Sequence, residues 1–183
     1  MPPLLLPSRI PTNPLHKLRH LPLLSHPLKT LKMSTCNLPP KPHFSSTYTE
    51  EQGTADLLPL LKTSGQGGRW SVIESGKGIE RRFKFKGFKK CWEFMNTVAP
   101  ECTVQKHHPE WSNVYNTTFI RWTTHSPPGL SPKDVLMAKF CDEAALKFGE
   151  VIEDVEEEGG LGKDLVDRVA TEAGDCCVPK KKG

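Results

Sequence analysis

Residues 79–99 read IERRFKFKGFKKCWEFMNTVA, and within them the spacing of the apolar side chains changes once. As far as Phe85 the period is two: Ile79, Arg81, Phe83 and Phe85 fall on one side, and Glu80, Arg82, Lys84 and Lys86 on the other. That is the pattern of a strand with one face in a core and one in water. From Phe88 onward the period is helical, through Phe88, Cys91, Trp92, Met95, Val98 and Ala99. Pro100 is expected to close the helix, because proline disfavours a helical residue before it and donates no hydrogen bond. Trp92 and Met95 are assigned to the core.

The frame extends in both directions. Upstream, TEEQ at 49–52 resembles a capping box and opens a short helix through Leu57, Leu58 and Leu61, which GQGG at 65–68 ends. RWSVIE at 69–74 reads as a strand that turns through Ser75-Gly76-Lys77-Gly78 into the strand at Ile79. Downstream, a loop with His107 and His108 leads to two strand-like stretches, NVY and TTFIRWTTH. Ser131-Pro132-Lys133-Asp134 is a helix start, with Ser131 as N-cap and proline in the first turn. The helix carries Leu136, Met137, Phe140, Cys141, Ala144, Ala145 and Phe148 and ends at Gly149. Its stripe is broader than a minimal seam, so part of it is expected to pack on another subunit. The order helix, strand, strand, helix, strand, strand, helix describes an α+β domain: a four-stranded antiparallel sheet with three helices packed on one face.

That domain is placed at residues 45–149. Residues 1–44, rich in Leu, Pro and basic side chains, read as a disordered extension, and residues 150–183 as an acidic, partly disordered one. Six acids lie between Glu150 and Glu158, and a short helix is expected around Asp164–Ala173. The N-terminal stretch fits part of the pattern of an organelle transit peptide. Met33 offers an alternative start, which makes the first 32 residues an upstream extension. The protein is expected in the cytoplasm, or in mitochondria if residues 1–32 act as a transit peptide.

Of the 183 residues, 25 are basic and 21 acidic. Six of the basic residues precede residue 50, where there is no acid, so the rest of the chain holds 19 basic against 21 acidic residues. The net charge of +4 therefore gives no general case for a polyanionic partner. RRFKFKGFKK at 81–90, basic and aromatic, reads as the wet face of a strand plus a helix start rather than a nucleic-acid surface. The six cysteines show no CxxC pair and are read as reduced, in an intracellular protein. No apolar run approaches the ~20 residues that span a bilayer.

The concentration of chemistry lies in KHHPEWSNVYNTTFIRWTTH, Lys106–His125. Pro109 biases His108 toward an extended backbone, which sends the rings of His107 and His108 to different sides. By period two, His125 lies opposite the Ile120 and Trp122 face. Imidazole has the unperturbed pKa, ~6.5, best suited to giving and taking protons near neutrality.

The spacing of His107-His108-Pro109, Tyr115, His125 and Asp134, with HHPEWSNVYN around it, resembles the signature of the pterin-4a-carbinolamine dehydratases over roughly residues 45–149. The resemblance implies loss of water from 4a-hydroxytetrahydropterin to give quinonoid dihydropterin, recycling the tetrahydrobiopterin cofactor of aromatic amino acid hydroxylases. It implies that His107, His108 and His125 are the catalytic acid/base set and that Pro109, Trp111 and Asp134 bind substrate. A helix-cap role explains Asp134 equally well. It implies no metal and no organic cofactor, a pterin as substrate, and a homodimer or homotetramer; from the residues themselves no membrane partner is expected and a nucleic-acid partner is disfavoured. Two positions depart from the family pattern: Thr103 stands where a charged residue or histidine is usual, and Lys106 where the animal enzymes have an acid. Glu101 is near but out of register. Two other readings are a non-catalytic dimerisation or transcription-coactivator-type protein of the same fold, and a three-histidine metal site.

Overall fold

In the structure, a computed structural model that describes residues 39–152 and 161–173, the alternating segment is strand β2 (Gly78–Lys84). Ile79, Phe83 and Phe85 are fully buried, and Arg81 goes in with them. β2 pairs on one side with β1 (Ser71–Val72) and on the other with β4 (Thr117–His125), which also pairs with β3 (Glu110–Val114). The order is β1-β2-β4-β3, antiparallel throughout. A fifth strand absent from the sequence reading, β5 (Pro128–Gly129), folds back on the end of β4.

The helical period begins where expected, at α2 (Phe88–Gln105), but Pro100 lies inside the helix rather than at its end. Pro100 and Asn96, whose carbonyl loses its partner, are both exposed, so water can satisfy that carbonyl and the ring meets no packed neighbour. The buried stripe is also rotated from the expected one. Cys91, Phe94 and Val98 face the core, Met95 is partly buried, and Phe88 and Trp92 are 47% and 48% exposed. Phe94 decides the rotation: its ring lies 4.9 Å from that of Phe83 and 5.1 Å from that of Phe85. Burial of each such ring is worth about 2 kcal/mol.

The first helix, α1 (Glu50–Leu57), is capped by Thr49, whose hydroxyl accepts from the Gln52 N–H at 3.3 Å, and continues through two 3₁₀ turns to Ser64. The third, α3 (Pro132–Phe148), starts on a capping box between Ser131 and Asp134 and ends at Gly149 in the left-handed conformation.

Three further differences bear on the site. The folded unit reaches back before Ser45: Phe44 bridges to Leu130 and packs against the core, and the His43 N–H donates to Gly76 at 2.8 Å. Glu150, counted with the solvated acidic run, instead pairs with buried Arg81, which also holds Asp142 and so makes an ion cluster inside the apolar face. Trp70 donates its indole N–H to the same Asp142. A fourth helix, α4 (Leu161–Ala173), packs against β3 and β4, so the helices do not all lie on one face. Its approach is close at a glycine: a Cβ at Gly162 would stand 3.2 Å from Phe119 and from Ser112, whose hydroxyl donates to the Gly162 carbonyl at 2.8 Å. The other acidic residues of 153–160 and the tail from 174 lie outside the described residues.

Candidate active site

The site begins where α2 stops. Lys106 adopts the left-handed conformation (φ 50°, ψ 47°), and the N–H of His107 reaches back to the Cys102 carbonyl at 3.0 Å. This is a Schellman closure with lysine where glycine is the usual choice. It fixes the direction in which the chain leaves the helix, and His107 and His108 then diverge onto the two faces of the sheet.

On the helix-covered face, the His107 ring stacks on the Trp122 indole, with centroids 5.4 Å apart and planes at 25°. His107 Nε2 lies 2.7 Å from Asp134 Oδ1. Asp134 is fully buried, and its Oδ2 accepts from the Ser131 N–H (2.7 Å), the Ser131 hydroxyl (3.0 Å) and the Thr124 hydroxyl (2.8 Å). A carboxylate is acceptor only, so His107 presents Nε2–H to it, which leaves Nδ1 as an acceptor. Asp134 thus caps α3 and holds His107 with the same side chain.

On the opposite face, the rings of His108 and His125 are nearly parallel, at 21°, with centroids 6.1 Å apart. Both residues are exposed. Glu110, the first residue of β3, places Oε1 3.7 Å from His125 Nε2, within ion-pair reach but longer than a hydrogen bond. Its Oε2 accepts from Arg121 at 3.3 Å. Glu110 was absent from the sequence reading, although register exposes it. Arg121 is its direct cross-strand partner, and Arg121 and His125 share a face by period two.

Of the other residues singled out, Pro109 and Trp111 are partly buried at the rim, with Trp111 opposite Ile120 and against the core. Tyr115 is not part of the cluster. It is 68% exposed at the β3–β4 turn, with φ 52°, the length of β3 away from the histidines, or about 15 Å at ~3.4 Å per residue. That end is tied by Asn113, which donates to the Thr117 carbonyl (3.0 Å), and by Asn116, which donates to that of Phe85 (2.6 Å). Thr103 and Lys106 are exposed. Glu101 accepts from Gln105 and lines a groove of about 420 Å³ with Tyr48, Asp56, Leu136 and Lys139; none of the three histidines lines it.

Among the described residues, no group of three His, Cys, Asp or Glu side chains converges as metal ligands. No helix among them is long and apolar enough to cross a membrane. Burial pushes the thiols of Cys91, Cys102 and Cys141 up, Cys102 to about 11, so none of these supplies a thiolate near neutrality. What the cluster offers is proton exchange: one imidazole anchored through its Nε2, and two more within reach of one small molecule.

Residues 47–144 match the family described as pterin 4 alpha carbinolamine dehydratase. A crystal structure of a transcriptional coactivator/pterin dehydratase from Brucella melitensis is 32% identical over 54% of this chain and 97% of that one, with a TM-score of 0.47.

Proposed function

The chain belongs to the pterin 4 alpha carbinolamine dehydratase family, and from that membership we propose that it removes water from a 4a-hydroxytetrahydropterin to give the quinonoid dihydropterin, by histidine acid/base catalysis. The observation that carries the reading is the division of the three imidazoles: His107 is clamped between Trp122 and Asp134, while His108 and His125 stand exposed, 6.1 Å apart.

The reaction breaks the C4a–O bond and needs a proton on the leaving oxygen. The N5 lone pair forms the C4a=N5 bond, and the N5 proton is then taken up. One proton is given and one accepted, so the enzyme ends in the charge state in which it began, and only the sites of protonation need resetting through water. His108 and His125 serve these two transfers at neighbouring atoms of one ring system. His107, its Nε2 committed to Asp134, holds the intermediate through Nδ1, and Pro109 and Trp111 wall the pocket. Such a product serves cofactor recycling.

The test is the rate of dehydration of synthetic 4a-hydroxytetrahydropterin, measured against the uncatalysed rate. His108→Ala and His125→Ala, each verified as folded by circular dichroism, are expected to lower kcat by ~10²–10⁴. Parental turnover in both folded variants rules the assignment out.

The assembly is proposed to be a homodimer or homotetramer. Leu136 on α3 is 46% exposed, and Phe88 and Trp92 on α2 stack on each other in the open, more apolar surface than two helices usually leave to water. A monomer by light scattering at micromolar concentration contradicts this.

A further inference from the structure

The second face of the sheet carries a charge cluster that the reaction as described does not use. Arg121, on β4, is buried between its two cross-strand partners, Glu80 and Glu110. Its Nε and Nη2 donate to Glu80 Oε2 at 3.0 and 2.7 Å, its Nη1 donates to Glu110 Oε2 at 3.3 Å, and Nη2 also donates to Asp167 of α4. Lys163, one turn earlier on α4, bridges Asp167 at 2.8 Å and Glu80 at 3.4 Å. The cluster has three carboxylates for two such cations. The carboxylate at its edge is Glu110, with one oxygen fixed by Arg121 and the other turned to His125 Nε2 at 3.7 Å.

This arrangement repeats, on the other face, the one around His107. In each case a carboxylate faces an imidazole Nε2 with one oxygen, while its second oxygen is held by groups that take no part in proton transfer. Asp134 is held by the start of α3, and Glu110 by a β4 arginine whose remaining partners include α4. Given the dehydratase reading, on which this rests, we infer that Glu110 is the positioning residue of His125, and that Arg121 and α4 set the orientation of Glu110. Glu110 then supplies an acid next to a site histidine in a chain with Thr103 and Lys106 upstream, and it does so from β3 rather than from the end of α2.

The experiment uses the full chain. Glu110→Gln, which keeps size and removes charge, is expected to lower kcat about tenfold with KM within about twofold, short of the ~10²–10⁴ for loss of a proton-transfer group. Glu110→Asp, which keeps the carboxylate, is expected to recover at least a third of parental kcat. Packing alone predicts no such rescue, so equal losses in the two variants overturn the proposal, as does parental kcat in folded Glu110→Gln. A parent that does not exceed the uncatalysed rate sinks the dehydratase reading instead. A second readout is independent of that reading: long-range ¹H–¹⁵N spectra of the histidine rings are expected to show the His125 nitrogens shifted in Glu110→Gln and those of His107 unmoved. Unshifted His125 nitrogens overturn the proposal. Should Glu110→Gln not fold, Glu110→Ala, which also removes the charge, carries the same spectrum and the same two outcomes.

Discussion

The two faces of the sheet solve the same problem with different means. Each buries an arginine among carboxylates, and each presents a carboxylate to a histidine. Under the helices, Arg81 is held by Asp142 and Glu150, with 5% of its side chain exposed, and His107 is clamped by a carboxylate with no exposure at all. On the far face, Arg121 is as deep, but its partner Asp167 is 45% exposed, and His125 is 38% exposed. The first face is enclosed by apolar packing. The second is closed by one helix and charge. At the entry to the β3–β4 hairpin, the successive residues His107 and His108 reach two different environments, because alternation sends neighbouring side chains to opposite faces.

The contrast should be largest in stability. Arg81→Ala leaves Asp142 and Glu150 without their shared cation, in surroundings where burial already pushes both carboxyls up against the pull of Arg81. A loss of about 3–5 kcal/mol is expected. Arg121→Ala should cost about 1–2 kcal/mol, because Asp167 is half in water and Lys163 still bridges it to Glu80. Urea denaturation of the two variants checks the order, and equal losses break the comparison.

A smaller effect is expected in the pH dependence of α4. Burial works against the charge of Asp167, but the hydrogen bonds from Lys163 and Arg121 outweigh it and hold its carboxyl below the usual aspartate range. A carboxylate whose pKa is lower folded than unfolded stabilises fully above its unfolded value, ~3.9, and loses that contribution as pH falls through the folded value. Amide protection factors across Leu161–Ala173 should therefore drop below about pH 4 while those of β2 persist. Protection of α4 that holds unchanged to pH 2 contradicts the role given to this ion cluster.

How much of this was legible in the sequence follows the same divide. Alternation in β2, the cap of α3 and the divergence of His107 from His108 were readable, because each depends on neighbours in sequence. The rotation of α2 was not: apolar residues at 88, 91, 92, 94, 95 and 98 allow more than one buried stripe, and only Phe83 and Phe85 opposite select Phe94 over Trp92. Pro100 departs from expectation because the rule that proline ends a helix assumes that the freed carbonyl has no alternative partner, and on the solvent side it has water. The place of α4 depends on charges at 80, 110, 121, 163 and 167, which no local pattern joins. Glu110 follows Pro109 directly, but its relevance appears only when Arg121 is set opposite it.

The central claim is that the two histidines on the two faces do different work in one reaction, and steady-state kinetics of His107→Ala and His125→Ala on 4a-hydroxytetrahydropterin tests it most directly. The account predicts that His125→Ala lowers kcat by ~10²–10⁴ with KM little changed, while His107→Ala acts mainly on KM. Two folded variants with the same division between kcat and KM would contradict it.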